Sequence, residues 1–151
     1  MTEPTDPRTK IELLKKQPVF SAFTEKEIDE LAQLLVEKFF EQGQTVVIEG
    51  EPVDSVYFIV DGIADVREVR IYDGKEVIKS LAKLYPGDSI GLNESGFYSL
   101  SGVRTATVVA GTPLLLLHLS VAAFHGFMLT HQHVNEVMRK KAEDLLQNEK
   151  I

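Results

Sequence analysis

The chemistry in this chain concentrates between Pro86 and Thr107. The stretch runs Pro86-Gly87-Asp88-Ser89-Ile90-Gly91-Leu92-Asn93-Glu94-Ser95-Gly96-Phe97-Tyr98, then Ser99-Leu100-Ser101-Gly102-Val103-Arg104-Thr105-Ala106-Thr107. A turn opens into a short segment rich in Gly and Ser, and an arginine follows at the start of a β-like run. Free backbone N–H groups at a helix start, together with one guanidinium, are a means of holding a small anion. A buried arginine aimed at a phosphate makes a bidentate charged contact that lysine does not reproduce. The plainer alternative for Arg104 is an exposed surface ion pair, and for Thr105 a β-branched strand residue. Glu94 is either a ligand or a solvated loop carboxylate. Ser95 supplies a hydroxyl and an N–H to an anion, or only caps a turn.

Other reactive constellations are thin. The histidines are His118, His125, His131 and His133. His131 and His133 have the HxH spacing of some metal sites, but a barrel-type oxygenase needs such a pair on its strands. The strand-like region from Thr45 to Lys83 contains no histidine. His131 and His133 fall near the start of the last helix, where surface positions are expected, so no metal site is expected. The chain has no cysteine, which excludes disulfides, thiolate catalysis and zinc–thiolate centres. No nucleophile–base pair occurs in motif form, so an enzyme is not expected.

Composition narrows the classes further. The chain has 151 residues, 44% of them hydrophobic and 26% charged, enough for one domain with an ordinary core. Lys and Arg total 16 against 23 Asp and Glu, a net charge of −7. A nucleic-acid binder normally carries a basic face. The only sizeable basic cluster, Arg139-Lys140-Lys141, sits beside Glu136, Glu143 and Asp144, as on a solvated helix face. No nucleic-acid partner is expected. The polar start, Met1 to Lys10, is not a secretory signal. Leu114 to Leu117 is too short an apolar run to span a bilayer. A cytoplasmic chain with no membrane insertion is the expectation.

The elements that must position these residues follow from periodicity. Residues 1–9 are expected to form a disordered tail, and 10–151 a single domain. Lys10 to Lys16 forms a short helix stopped by Pro18. Thr24 with Glu27 forms a capping box, and Ile28, Leu31 and Leu35 give an apolar stripe over a helix ending near Glu37. From about residue 43 to 119 the period changes to that of strands: Thr45–Ile48, Ser55–Val60, Ile63–Ile71, Val77–Leu84, Arg104–Ala110 and Leu114–Leu119. Asp73-Gly74 marks a hairpin tip, and Gly111-Thr112-Pro113 separates the last two strands. Helices return over residues 120–149. Ser120 caps the first, and Val134, Val137, Met138, Ala142, Leu145 and Leu146 stripe the second. Short strands with frequent turns between terminal helices imply an α+β fold: an antiparallel β-roll, jelly-roll-like, flanked by helices at both ends.

This layout resembles the cyclic nucleotide-binding domain family, of the catabolite activator and protein kinase A regulatory type, over nearly the whole chain. Leu13-Leu14-Lys15-Lys16-Gln17-Pro18-Val19-Phe20 is similar to the family's N-terminal element. Gly43, Gly50, Gly62 and Gly87 fall at its turn glycines. Gly50-Glu51-Pro52-Val53-Asp54-Ser55-Val56-Tyr57-Phe58-Ile59-Val60-Asp61-Gly62 is the most family-like stretch before residue 86, and Pro86 to Thr107 resembles the phosphate-binding cassette. The resemblance implies that Arg104 pairs with a cyclic phosphate, that Gly91 is the cassette glycine, and that Thr105 and Ala106 are the small residues that add contacts. A glutamate following the glycine holds the ribose in this family, and here Leu92 follows Gly91. Either Leu92 replaces it and the ribose contact is lost, or Leu92-Asn93 is an insertion and Glu94 is the displaced ribose ligand.

The resemblance further implies a non-enzymatic receptor for cAMP or cGMP, with Thr105 leaning toward cGMP. Segment 120–149 leaves no room for the helix-turn-helix that related transcription factors append. Output is therefore expected through a partner protein, or through a homodimer formed by the C-terminal helix, with Val134, Val137 and Met138 as lid or dimer seam. The competing expectation is a degenerate domain that binds no nucleotide and serves as an interaction scaffold.

Overall fold

In the computed structural model, which describes residues 5–92 and 102–149 and side chains as far as 144, Asp6 opens the first helix. Its carboxylate accepts from the Arg8 N–H at 2.8 Å, and Pro7 takes the first helical position, so α1 spans Pro7–Lys15. Residues 7–9, expected in the tail, are therefore helical. A side-chain cap followed by a proline whose missing N–H needs no partner is a good helix start. A single 3-10 turn, Pro18–Phe20, leads on to Thr24. Thr24 and Glu27 form the expected capping box at the head of α2, Glu25–Ala32.

The second helix ends five residues before the expected Glu37 (37 − 32). Gln33, Leu34 and Leu35 close it by bonding back three residues to Glu30, Leu31 and Ala32. The chain then enters a strand that periodicity did not reveal, β1, Val36–Phe40, with Val36 pairing His118 and Phe40 pairing Leu114. Val-Glu-Lys-Phe-Phe lacks clean alternation, and pairing with a neighbouring strand overrides local pattern.

The remaining strands are β2, Thr45–Val47; β3, Ser55–Asp61; β4, Ala64–Tyr72; β5, Lys75–Leu84; β6, Ser89–Ile90; β7, Thr107–Ala110; and β8, Leu114–Ser120. They form two four-stranded sheets in the orders β1-β8-β3-β6 and β2-β7-β4-β5, with every pairing antiparallel. The β4–β5 hairpin turns at Asp73 and Gly74, both at positive φ (51° and 74°), the geometry of a type I′ turn. The last two helices are α3, Val121–Thr130, capped by Ser120 on the Ala123 N–H, and α4, Gln132–Glu149.

The first sheet has a core on each face, because alternate side chains point to opposite sides. Val56, Phe58, Leu117 and Leu119 pack with Leu14, Phe20, Leu31, Phe124 and Val134 of the helical layer. Ile59, Leu114 and Leu116 pack inside the roll against Val47, Ala64, Val108 and Ala110 of the second sheet. The stripe on α4 is committed here: Val134 is fully buried and Met138 is buried in the same helical core, with Val137 half-buried against it. The expected dimer seam is therefore covered by the chain's own residues. The side chains of Leu145 and Leu146 lie outside the described residues.

Candidate functional site

The turn at residues 85–88 is tied by the Asp88 N–H to the Tyr85 carbonyl at 2.9 Å and by the Tyr85 N–H to the Asp88 carboxylate at 2.8 Å. It delivers β6, whose Ser89 and Ile90 pair with Phe58 and Tyr57 of β3. Gly91 follows at φ +86°, a conformation that favours glycine. A Cβ there would stand 2.6 Å from Arg104 Nη1 and 3.2 Å from the Ser55 carbonyl oxygen. Glycine is thus required twice, by backbone angle and by the guanidinium lying against it.

Arg104 is set by a different piece of chain. Its N–H donates to the Glu51 carbonyl at 2.8 Å and its carbonyl accepts from Gly50 at 2.9 Å, while Val53 donates to Gly102 at 3.0 Å and Pro52 bridges Val103. This small ladder fixes residues 102–104 ahead of the strand. The strand expected from Arg104 begins at Thr107, so Arg104, Thr105 and Ala106 form a bend before it. Thr107 is occupied otherwise, its hydroxyl accepting the Glu49 N–H at 3.0 Å.

The Arg104 side chain is buried, 6% exposed for the residue. Nη2 donates to the Ser55 carbonyl at 2.8 Å and weakly to Ser55 Oγ at 3.4 Å. The Asp54 carboxylate, largely exposed, stands 3.6 Å away. Nη1 is buried and makes no hydrogen bond among the described residues. Burial is the main influence on this group and pulls its pKa below the ordinary value, against Tyr57, Asp54 and Glu51, which favour the cation. A buried donor left unpaired costs free energy, so such groups are rare and call for a reason.

The guanidinium borders a cavity of about 180 Å³. Ser89, Gly91, Thr105 and Ala106 line it beside the guanidinium's residue, and Val47, Val66 and Leu84 are among its apolar walls. One charged donor at the end of an apolar slot suits a small molecule with an anionic end and a flat apolar body. Sequence reading missed the walls and Ser55, whose backbone carbonyl orients the arginine. The β-periodicity of strands β2 and β4 was the available signal for the walls. Leu92 is not part of this lining; it is half-buried against the helical core. Glu94 and Ser95 lie outside the described residues.

The histidines are placed elsewhere. His118 on β8 meets Tyr57 edge-on at 5.2 Å, and burial, followed by the charge of Lys38, lowers its pKa. His131 and His133, expected as surface residues, pair with Glu30 and Glu27 of α2. Among the described residues no group of three or more His, Asp or Glu is placed to hold a metal ion, and no helix is long and apolar enough to cross a membrane.

A roll with helices at both ends, with a glycine and a buried arginine facing its cavity, is the frame of a known class. Residues 37–131 match the cyclic nucleotide-binding domain, and the chain belongs to that family. It is 28% identical over 137 residues to a cAMP-dependent protein kinase regulatory subunit of Colletotrichum orbiculare, covering 88% of this chain but only 31% of that protein. Among solved structures it is similar to the N-terminal domain of a transcriptional regulator from Streptomyces coelicolor A3(2), with TM-score 0.73, 26% identity and 92% of each chain covered. It is also similar to the regulatory subunit of a cAMP-independent protein kinase A from Trypanosoma brucei, with TM-score 0.62, 25% identity, 91% of this chain and 47% of that one.

Proposed function

We propose that this chain is a non-enzymatic receptor module for a cyclic nucleotide, cAMP or cGMP, signalling through a partner protein or a second copy of itself. The observation that carries this reading is the Arg104 guanidinium, buried, held by Ser55 on Nη2 and with Nη1 beside the cavity unpaired among the described residues. An anionic phosphate satisfies that donor and neutralises a charge that burial disfavours. Gly91 keeps the approach open, and Thr105 and Ala106 line the rim for phosphate or base contacts. Glu94 is assigned the ribose hydroxyl and Ser95 a backbone N–H toward the phosphate. We place the chain in the cytoplasm.

One observation favours a second reading. The residue after Gly91 is Leu92, which packs toward the helical core and offers no oxygen to a ribose. A scaffold that has given up nucleotide while keeping the roll accounts for that residue; the buried Arg104 Nη1, without a hydrogen bond among the described residues, opposes it.

Calorimetric titration of the chain with cAMP and with cGMP, in parallel, decides between them. Micromolar or tighter binding of either supports the receptor, and the tighter ligand names the base. No heat, together with an unchanged melting temperature at millimolar nucleotide, leaves the scaffold.

A further inference from the structure

The HxH pair has a function in the fold. His131 stands at the junction of α3 and α4: its N–H donates to the Met128 carbonyl at 3.3 Å and its carbonyl accepts from Asn135 at 3.0 Å. Its ring stacks on Phe127, with centroids 3.9 Å apart and planes 18° from parallel. Nδ1 faces the Phe127 carbonyl oxygen at 2.9 Å, and Nε2 meets the Glu30 carboxylate. Both partners only accept, whereas a neutral imidazole carries one N–H. Thr130 Oγ1 also lies 3.0 Å from Nδ1, but its single proton has carbonyl acceptors at Phe127 and Gly126, 3.1 and 3.3 Å away. An unprotonated Nδ1 would set its lone pair against a carbonyl oxygen. The arrangement is complete only when both ring nitrogens carry protons.

His133 repeats the contact on the neighbouring carboxylate, with Nδ1 2.8 and 3.0 Å from the two oxygens of Glu27. Glu27 and Glu30 lie three apart on α2 and so share a face. Between the two histidines and these carboxylates, the start of α4 is tied to α2 beside the buried Val134. The charged groups facing the rings are Glu27 and Glu30, with Lys26 of α2 3.9 Å from the other oxygen of Glu30.

We propose that this pair is a proton-operated latch: α4 is held to α2 while His131 is an imidazolium, and the hold weakens as pH rises. The latch is independent of what fills the cavity. The directions of titration agree with it. The Glu30 hydrogen bond, helped by the Phe127 carbonyl, holds His131 above its ordinary 6.5. Burial acts to raise the Glu27 pKa but is outweighed by the Thr24 amide and His133, which leave it below 4.5. A raised histidine pKa stabilises the docked helix fully below the free value, and that contribution is lost as pH rises through the raised one. The lowered Glu27 sets the other limit, losing its contribution as pH falls through its own value. The latch is therefore tightest in mildly acidic solution.

The test combines an NMR titration of the histidine rings with amide hydrogen exchange of α4 at pH 6 and pH 8, corrected for intrinsic rates, on the full chain. His131 is expected to titrate above 6.5, and Glu30→Gln, which removes the carboxylate that chiefly raises it, to lower that midpoint. Protection of α4 is expected to fall about tenfold from pH 6 to pH 8 in the native chain and to be flat in His131→Gln. If His131→Gln does not fold, Glu30→Gln is read the same way, with a reduced pH dependence expected. A His131 midpoint at or below the free value, or α4 protection that follows pH identically in native and variant chains, overturns the latch.

Discussion

The two ends of this molecule treat their buried charged groups in opposite ways. At the helical end, Glu27 is buried yet fully engaged, accepting from the Thr24 N–H at 2.8 Å and from His133, and both His131 nitrogens have partners. At the cavity end, Arg104 is as deeply buried but keeps one nitrogen without a hydrogen bond among the described residues. Satisfied polar groups hold a fold together; an unsatisfied charged donor at a cavity is held for something else. The contrast separates the histidines, whose ring nitrogens are engaged by α2 carboxylates, from the arginine, which is tied to Ser55 through Nη2 but keeps Nη1 without a hydrogen bond among the described residues.

The largest expected effect breaks the comparison directly. Arg104→Ala should weaken nucleotide binding by about 3 kcal/mol, roughly a hundredfold, the scale of a truncated buried charge contact. The empty protein should lose little, because the variant removes a desolvated charge along with its two hydrogen bonds to Ser55. Calorimetry and thermal melting together test both halves. A variant that binds normally removes Arg104 from the site, and one that melts far below the native chain makes the arginine structural.

Gly91→Ala comes next. The added Cβ meets Arg104 Nη1 at 2.6 Å in a backbone at φ +86°. Strain of this kind costs about 1–3 kcal/mol, so the melting temperature should fall. Displacing the guanidinium should also lower nucleotide affinity about tenfold or more. Loss of stability with native affinity would show that the glycine serves the turn alone and not the approach of a ligand.

Much of this was legible in the sequence because it rests on local rules. The Thr24–Glu27 capping box, the Asp73-Gly74 hairpin and the Ser120 cap are each read from a few adjacent residues, and the structure contains all three. What depends on distant pairing was not. Strand β1 exists because β8 lies beside it, and no pattern within Val36–Phe40 announces that partner. Gly91 and Arg104 stood out as a pair, but the Ser55 carbonyl between them carries no side-chain signal. Thr105 and Ala106 were expected within a strand and lie in a bend that links the ladder between residues 50–53 and 102–104 to the start of β7. The acidic partners of His131 and His133 are more than a hundred residues away along the chain, so the sequence offered only a metal-type spacing to weigh against plain surface positions, and the latter were expected.

The smallest predicted effect sharpens the helical side of the comparison. The Thr24 hydroxyl accepts the Glu27 N–H at 3.1 Å, one half of a reciprocal cap whose other half uses the Thr24 backbone N–H. Thr24→Ala removes the first half and leaves the second, and Glu27 keeps His133. The cost should be about 1 kcal/mol, the usual value of a helix cap, read as a drop of a few degrees in melting temperature, with Thr24→Ser restoring it. The cap also helps hold the Glu27 pKa down. The Thr24 amide, which gives the larger share of that lowering, is unchanged in the variant, so the deficit should persist with little change from neutral pH into acid. Nucleotide affinity should not move, because Thr24 is not among the residues that line the cavity. A change in affinity would mean that the two ends communicate through the first sheet, whose opposite faces carry the helical core and the roll.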